Sequence, residues 1–181
     1  MKQIVLLTAF FILNTFQTFS QDKKITKTGK IVFEASVPSF EEVKAKNESV
    51  TCVVNIKTGE IASLALMRAF RFKIALMEEH FNENYMESDK YPKATFNGKI
   101  QGFDWNSIGS TSKEYKMKGI LEVHGKSKEI NTSVFLRKVD DGLEIISNFN
   151  VNFKDFDIDI PKIISMKVAE TVNIKTNFLA K

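Results

Sequence analysis

Residues 69–103, AFRFKIALMEEHFNENYMESDKYPKATFNGKIQGF, change their hydrophobic period twice. Apolar and polar residues alternate across residues 70–74, which is typical of a half-buried strand. Apolar residues then recur about every four positions across residues 76–85, as on one face of an α-helix. Pro92 ends the helical pattern, and alternation returns from residue 94 to residue 102. The stretch therefore predicts a strand, one short helix and a second strand.

The predicted helix has one apolar stripe. It carries Met77, Phe81 and Tyr85 at positions i, i+4 and i+8, which lie above one another on a helix surface. Glu78 and Glu79 fall at other positions and can face water. Because the inward candidates around this helix are mostly aromatic, the stretch favours a closed sheet with a lid over an enzyme cleft.

Alternating segments fill most of the remaining chain. Expected strands span residues 25–36, 49–57, 61–70, 93–103, 115–123, 129–139, 143–153 and 170–179. A capping-box pattern predicts one helical turn at residues 39–44, and residues 155–162 are predicted to form a loop. Dense alternation with short turns indicates an all-β fold, an antiparallel eight-stranded β-barrel with a short helix between strands.

The first 20 residues have the pattern of an export signal. An apolar run covers residues 4–13, and Thr18 and Ser20 are small enough for the cleavage positions. The run is shorter than the ~20 residues of a membrane span. We therefore expect a cleaved signal peptide over residues 1–20, one domain over residues 21–181, and a periplasmic or secreted protein without a lipid anchor.

Charge and cysteine content exclude two classes of protein. The chain has 26 Lys and Arg against 22 Asp and Glu, a net charge of +4. The basic residues are scattered instead of forming the concentrated stripe that nucleic acid requires. Cys52 is the single cysteine, so no internal disulfide is possible, and its apolar neighbours predict a small buried residue.

Six motifs follow one another along the expected mature chain. They are FRF at 70–72, MEEHF at 77–81, YPKATFNG at 91–98, GILEVHGKSK at 119–128, DFDIDIP at 155–161 and VAETVNI at 168–174. In this order they resemble the YceI-like polyisoprenoid-binding family. The resemblance implies a barrel of lipocalin type, with a helix near one end and a long isoprenoid chain in an apolar tunnel. Asp157 stands where the resemblance leads us to expect a glycine.

The expected ligand is thus an isoprenoid lipid or an isoprenoid quinone, held without catalysis, with no other cofactor and no metal. Met and Phe suit an adaptable apolar tunnel. A homodimer and transient contact with a membrane are compatible with this interpretation. The residues predicted to line the tunnel are Phe70, Phe72, Met77, Phe81, Phe96, Met117, Leu121, Val134, Ile145, Phe149 and Phe153.

Three other interpretations are left open by the residues. Inward aromatic side chains in a small barrel usually pack against each other, which predicts a solid core. A ligand-free accessory or stress-related barrel fits the same pattern. Ser127, His124 and Asp155 supply the residue types of a hydrolase triad, although no nucleophile-elbow sequence surrounds the serine. A metal site is disfavoured, because zinc needs three or four converging ligands and the chain has two histidines.

Overall fold

The computed structural model describes residues 22–181. The expected signal peptide, residues 1–20, and the expected mature start at Gln21 lie outside the described residues.

Nine strands and two short α-helices make up the described chain. The strands are β1 Lys23–Ser36, β2 Lys44–Asn55, β3 Glu60–Leu66, β4 Arg71–Phe72, β5 Lys93–Ile100, β6 Lys113–Val123, β7 Lys126–Val139, β8 Gly142–Asn152 and β9 Val168–Ala180. The helices are α1 Ala75–His80 and α2 Lys162–Ser165. Single helical turns lie at Met67–Ala69, Phe81–Tyr85, Trp105–Ser107 and Phe153–Phe156.

Eight of the strands close into an antiparallel barrel. Strand β1 pairs with β2 on one side and with β9 on the other, which joins the two edges of the sheet. The two-residue strand β4 adds to β2 beyond the end of β3. Closure removes the unpaired edges that an open sheet would expose. The predicted all-β, eight-stranded antiparallel barrel with a short helix between strands is confirmed.

The barrel wall follows from the period-two pattern of its strands. In β6, Tyr115, Met117 and Leu121 are buried, whereas Lys116 and Lys118 are exposed. Successive side chains of a strand point to opposite faces, so the apolar set lies inside and the lysines face water. The same alternation places the core within the barrel.

The two ends of the barrel differ. At the closed end, short connections over residues 56–59, 101–112 and 140–141 join the strands. At the open end lie residues 37–43, residues 67–92 with α1, the turn at residues 124–125, and residues 153–167 with α2. The two longest connections, residues 67–92 and 153–167, therefore lie at the same end.

A solid core fills the closed half. Its large side chains are all buried: Val54, Ile100, Ile108, Tyr115, Leu136 and Leu143. Cys52, on β2, is also buried, as its sequence context predicted. Burial raises the pKa of the Cys52 thiol to about 12.

Three local predictions differ from the structure. The predicted helix over residues 76–85 is α1 plus a wider π-type turn, Phe81–Tyr85. Residues 39–44 form no helical turn, because Ser39 takes a φ of 73° and β2 begins at Lys44. The predicted loop over residues 155–162 overlaps the helical turn Phe153–Phe156 and the first residue of α2, Lys162; both elements are too short to produce a helical period.

Candidate functional site

The open half of the barrel is hollow. It encloses a cavity of about 440 Å³, within the ~300–1,000 Å³ range of small-molecule pockets. The lining is apolar apart from seven side chains: Glu41, Ser63, His80, Tyr85, Ser147, Lys167 and Thr176. A solid barrel, the expectation from periodicity alone, therefore holds for the closed half and not for the open half.

Ten of the eleven residues predicted to line a tunnel lie in the wall of this cavity. They are Phe70, Phe72, Met77, Phe81, Phe96, Met117, Leu121, Ile145, Phe149 and Phe153. The structure brings them together from β4, α1, the turns beside them, β5, β6 and β8.

Val134 is the exception, because it does not border this cavity. It points inward from β7 and is fully buried. Its neighbour in the sheet is Tyr115, another buried inward residue. Val134 therefore belongs to the packed core, because strand alternation gives the direction of a side chain but not its distance from the cavity.

The ring of Phe96 packs against two glycines. Gly98 and Gly119 face each other across β5 and β6. A Cβ atom on Gly98 would lie 2.7 Å from Cζ of Phe96, and one on Gly119 would lie 2.5 Å from the same atom. The absence of side chains there lets the ring lie against the wall, so the two glycines shape the cavity next to Phe96.

Two hydroxyl groups of the deep wall form a hydrogen bond with each other. The Oγ of Ser147 and the Oγ1 of Thr176 are 2.8 Å apart and form a hydrogen bond. Both residues line the cavity, and Ser147 is buried. Because a buried polar group without a partner is costly, this pairing lets two polar residues sit in an apolar wall.

Four phenylalanine rings attach the helical segment to the barrel. Phe81 lies at their centre, with its ring centroid 5.4 Å from Phe33, 5.9 Å from Phe70 and 5.0 Å from Phe72. These separations are typical of favourable aromatic pairs. Phe81 therefore lines the cavity and also holds the helical segment over residues 75–85, which we call the lid, in position.

Glu78 fastens the start of the lid to the sheet. Its carboxylate accepts a hydrogen bond from the backbone N–H of Phe72 at 3.0 Å and one from Arg71 Nη1 at 2.9 Å. The sequence pattern assigned Glu78 to the water-facing side, and it missed this contact because the contact depends on how α1 packs beside β4.

The mouth of the cavity carries the ionisable lining residues. Glu41 comes from the loop before β2, His80 from α1, Tyr85 from the turn after it, and Lys167 from the residue before β9. Partial burial raises the pKa of the Tyr85 phenol above its usual value. The ionisable groups thus lie at the opening, and hydrocarbon dominates the interior.

Sequence reasoning missed part of the wall. Ile31 and Phe33 of β1, and Ile174 and Phe178 of β9, also line the cavity, and their alternation was visible in the sequence. The segment with Ile158, Ile160 and Ile164 lines it as well. Ile158 and Ile160 alternate with Asp157 and Asp159, a signal for an inward apolar side that the loop prediction for residues 155–162 left out.

His124 has structural partners. Its Nδ1 lies 3.0 Å from the carbonyl oxygen of Phe156, and its Nε2 lies 3.0 Å from Oε2 of Glu87. Asp155 instead pairs with Lys128 at 2.8 Å. Both ring nitrogens are thus directed away from the arrangement that a Ser127–His124–Asp155 triad requires.

The segment that His124 holds includes Asp157. This residue has a φ of 52°, a left-handed conformation that glycine adopts most readily and that aspartate tolerates. The position at which the resemblance implies a glycine is therefore one at which the backbone favours it.

Membrane-spanning helices and metal clusters are both absent from residues 22–181. None of the described helices has the length and apolarity that crossing a membrane requires. Within the same residues, no group of three or more His, Cys, Asp or Glu side chains converges as a metal site would.

Solved structures of similar fold come from several bacteria. A polyisoprenoid binding domain from Saccharophagus degradans, implicated in plant cell wall breakdown, has a TM-score of 0.77 and 11% identity over 88% of this chain and 98% of that one. Burkholderia cenocepacia BcnA has a TM-score of 0.69 and 15% identity, covering 84% and 96% of the two chains. A Campylobacter jejuni YceI protein has a TM-score of 0.60 and 18% identity, covering 80% and 89%.

These identities are low, so the structural similarities establish the fold. A search of curated proteins gives no match. The family model described as the YceI-like domain matches residues 12–180. That match covers nearly the whole sequence, and the chain therefore belongs to the YceI-like domain family.

Proposed function

We propose that this protein holds the chain of an isoprenoid lipid, either a polyisoprenoid or an isoprenoid quinone, in the cavity of its open half. The observation that carries the proposal is a hollow, apolar cavity of about 440 Å³ that opens at one end of the barrel. In this role the protein is a non-enzymatic carrier or store, and the lipid is its ligand.

The chemistry of an isoprenoid chain matches the chemistry of the cavity. Such a chain is hydrocarbon over most of its length and needs no hydrogen-bonding partner there. Each buried CH₂-sized group contributes up to ~0.8 kcal/mol. The hydroxyls of Ser147 and Thr176 are hydrogen-bonded to each other, so each has a protein partner and the ligand need not supply one.

The size of the cavity argues against a barrel that binds nothing. Unfilled apolar space costs ~24 cal/mol per Å³ in lost packing. For a cavity of about 440 Å³, this scaling gives at most about 10 kcal/mol, because the open mouth admits water. That upper limit is comparable with the ~5–15 kcal/mol that stabilises a typical domain. A ligand that fills the space would recover much of that loss.

The structural relative from Saccharophagus degradans supports the ligand class, since it is described as a polyisoprenoid binding domain. The contacts of His124 with Phe156 and Glu87 weigh against the hydrolase alternative. Binding without turnover is therefore the function that the site supports best.

Titration with isoprenoid alcohols of increasing length tests the proposal. Protein stripped of lipid should bind them with an affinity that rises with each isoprene unit and levels off when the cavity is full. The Phe135→Ser variant is a matched control, because Phe135 is exposed on the outer wall and its loss should leave the profile unchanged. Affinity that is absent, or that does not depend on chain length, would contradict the proposal.

Export to the periplasm or the medium is part of the same proposal. It is supported by the charged start, apolar run and small residues of residues 1–20. Mass spectrometry of the protein recovered from its native host should find Gln21 at the amino terminus. An intact Met1 start on the mature protein would contradict export by this signal.

A further inference from the structure

The mouth of the cavity is surrounded by exposed apolar side chains. Phe40, Ile74 and Leu76 are exposed on two of the segments at the open end, and α2 and the residue after it add Ile163 and Met166. Ile163 is 86% exposed and Met166 is 77% exposed, the two highest values among the exposed large apolar residues. The connections of the closed end, residues 56–59, 101–112 and 140–141, contribute none of these side chains.

Helix α2 carries apolar residues on two sides, one turned toward the cavity and the other toward solvent. Ile164 lines the cavity, whereas Ile163 and Met166, three residues apart and therefore on one side of the helix, face solvent. An apolar pair this exposed has no role in the folded core. Exposed apolar groups clustered around an opening indicate a surface that contacts another apolar phase.

Two lysines flank this exposed pair. Residues 160–168 contain Lys162 and Lys167 and no acidic residue. Among the ion pairs of residues 22–181, neither lysine has a carboxylate partner, whereas Asp155 and Asp157 of the preceding segment pair with Lys128 and Lys126. Lysines beside exposed apolar residues are the combination that binds the surface of an anionic bilayer.

We propose that the open end docks on a bilayer containing anionic lipids, with Ile163, Met166 and Leu76 inserted among the acyl chains and Lys162 and Lys167 at the headgroups. This inference rests on the proposed function, because it explains how the ligand reaches the cavity. A docked mouth lets an isoprenoid chain pass between bilayer and barrel without crossing water. A second copy of the protein on the same surface would instead cover the mouth.

Flotation with vesicles tests the apolar part of the surface. The protein should float with vesicles of phosphatidylglycerol and phosphatidylethanolamine, and Ile163→Ser combined with Met166→Ser should weaken the binding at least tenfold. Phe135→Ser combined with Ile146→Ser is the matched control. These two residues are also exposed, and they face each other across β7 and β8 on the outer wall, so binding should be unchanged. Equal losses in the two pairs would overturn the inference.

Neutral vesicles and salt test the charged part. Lys162→Gln and Lys167→Gln should each weaken binding to the phosphatidylglycerol vesicles about fivefold, since a lysine at an anionic surface contributes ~1 kcal/mol. Neither substitution should affect binding to pure phosphatidylcholine. Raising the salt concentration should reduce the difference between wild type and variants. Variants that bind both vesicle types like the wild type would contradict the role of the lysines.

Quenching of tryptophan fluorescence by lipids with brominated acyl chains shows which end of the barrel faces the bilayer. Bromine quenches only an indole that lies among the acyl chains. Trp105, the single tryptophan, lies in the closed-end connection, so the wild-type emission should not be quenched. Ile163→Trp adds an indole at an exposed position of α2 and should give quenched, blue-shifted emission. Quenching in the wild type, or its absence in both proteins, would overturn docking by the open end.

Failure of docking and failure of the proposed function give different results. A protein that binds isoprenoid alcohols but does not float with vesicles overturns docking alone. A protein that floats with vesicles but binds no isoprenoid contradicts the proposed function alone. If Ile163→Ser with Met166→Ser changes the oligomeric mass by light scattering and leaves flotation intact, the surface joins copies of the protein and the inference is overturned.

Discussion

At the scale of single residues, Ala94 tests whether the cavity holds the ligand. It lies in the cavity wall beside Ala65 of the neighbouring strand. Ala94→Phe should place a ring in open space, so that isoprenoid affinity falls more than about tenfold while the free energy of unfolding changes by less than about 1.5 kcal/mol. Titration and urea unfolding of the same variant measure both.

Ala45→Phe is the control for that substitution. Ala45 is buried but lies outside the cavity, between Phe33 and Phe72 in the sheet. Overpacking there should lower the free energy of unfolding by about 1–3 kcal/mol. If Ala94→Phe destabilises the barrel as much as Ala45→Phe, the space beside Ala94 is not open.

A substitution at Gly119 tests whether the ring of Phe96 needs a residue without a side chain beside it. A Cβ atom added to it would lie 2.5 Å from Cζ of Phe96 and 2.6 Å from the carbonyl oxygen of Asn97. Gly119→Ala should therefore lower the free energy of unfolding by about 1–3 kcal/mol, measured by urea unfolding. Gly109→Ala, where a Cβ atom meets nothing within 4 Å, should change it by less than about 0.5 kcal/mol. Similar changes in unfolding free energy for the two variants would contradict the packing of Phe96 against Gly119.

At the scale of elements, His124 joins three segments of the open end. It follows β6 and contacts the carbonyl of Phe156 and the carboxylate of Glu87. His124→Ala leaves these acceptors without their partner and should cost about 1–3 kcal/mol of unfolding free energy. His80→Ala, at an exposed position of α1, should cost less than about 0.5 kcal/mol.

Hydrogen exchange locates the effect of the same change. Amides of residues 153–157 should exchange faster in His124→Ala, because that turn loses its anchor. If residues 153–157 of His124→Ala exchange as in the wild type and the free energy of unfolding is unchanged, the contacts of His124 do not stabilise the open end.

Alternation predicted the barrel because a strand with one buried face has a period of two that survives local irregularity. It also gave the inward direction for Phe96, Met117, Leu121, Ile145 and Phe149, all of which lie in the cavity wall. It did not separate the hollow half from the packed half. Periodicity specifies which way a side chain points, whereas a cavity depends on the summed volumes of side chains from distant strands.

Irregular segments were the other part that the sequence left unpredicted. Ile158, Ile160 and Ile164 line the cavity, although their segment forms no strand. The alternation of aspartate and isoleucine across residues 157–160 indicates an apolar side but not that this side covers a cavity. The role of Glu78 was missed for a related reason, since its partners Phe72 and Arg71 depend on the packing of α1. Such contacts are tertiary, and local pattern does not encode them.

At the scale of the whole molecule, the rate at which the Cys52 thiol is alkylated measures the opening of the barrel. It is the single cysteine, it is fully buried, and burial raises its pKa to about 12. At pH 8 the folded protein should resist alkylation, and labelling should follow the rate of global opening. Mass spectrometry over time measures it, with a urea-unfolded sample as the positive control.

Bound lipid should slow this labelling further. A ligand present at 100 times its dissociation constant stabilises the folded state by ~2.7 kcal/mol, so labelling should slow about 100-fold, and removal of lipid should restore the faster rate. Rapid labelling of folded protein, with or without lipid, would indicate that β2 opens locally.

The central claim is that an isoprenoid lipid occupies the hollow half of the barrel. Native mass spectrometry, on protein purified without detergent from cells that make isoprenoid quinones, tests it most directly. The account predicts a complex with one lipid, released as an isoprenoid on organic extraction and reduced in Ala94→Phe. Protein that stays at its bare mass after incubation with isoprenoid quinone and isoprenoid alcohol would contradict it.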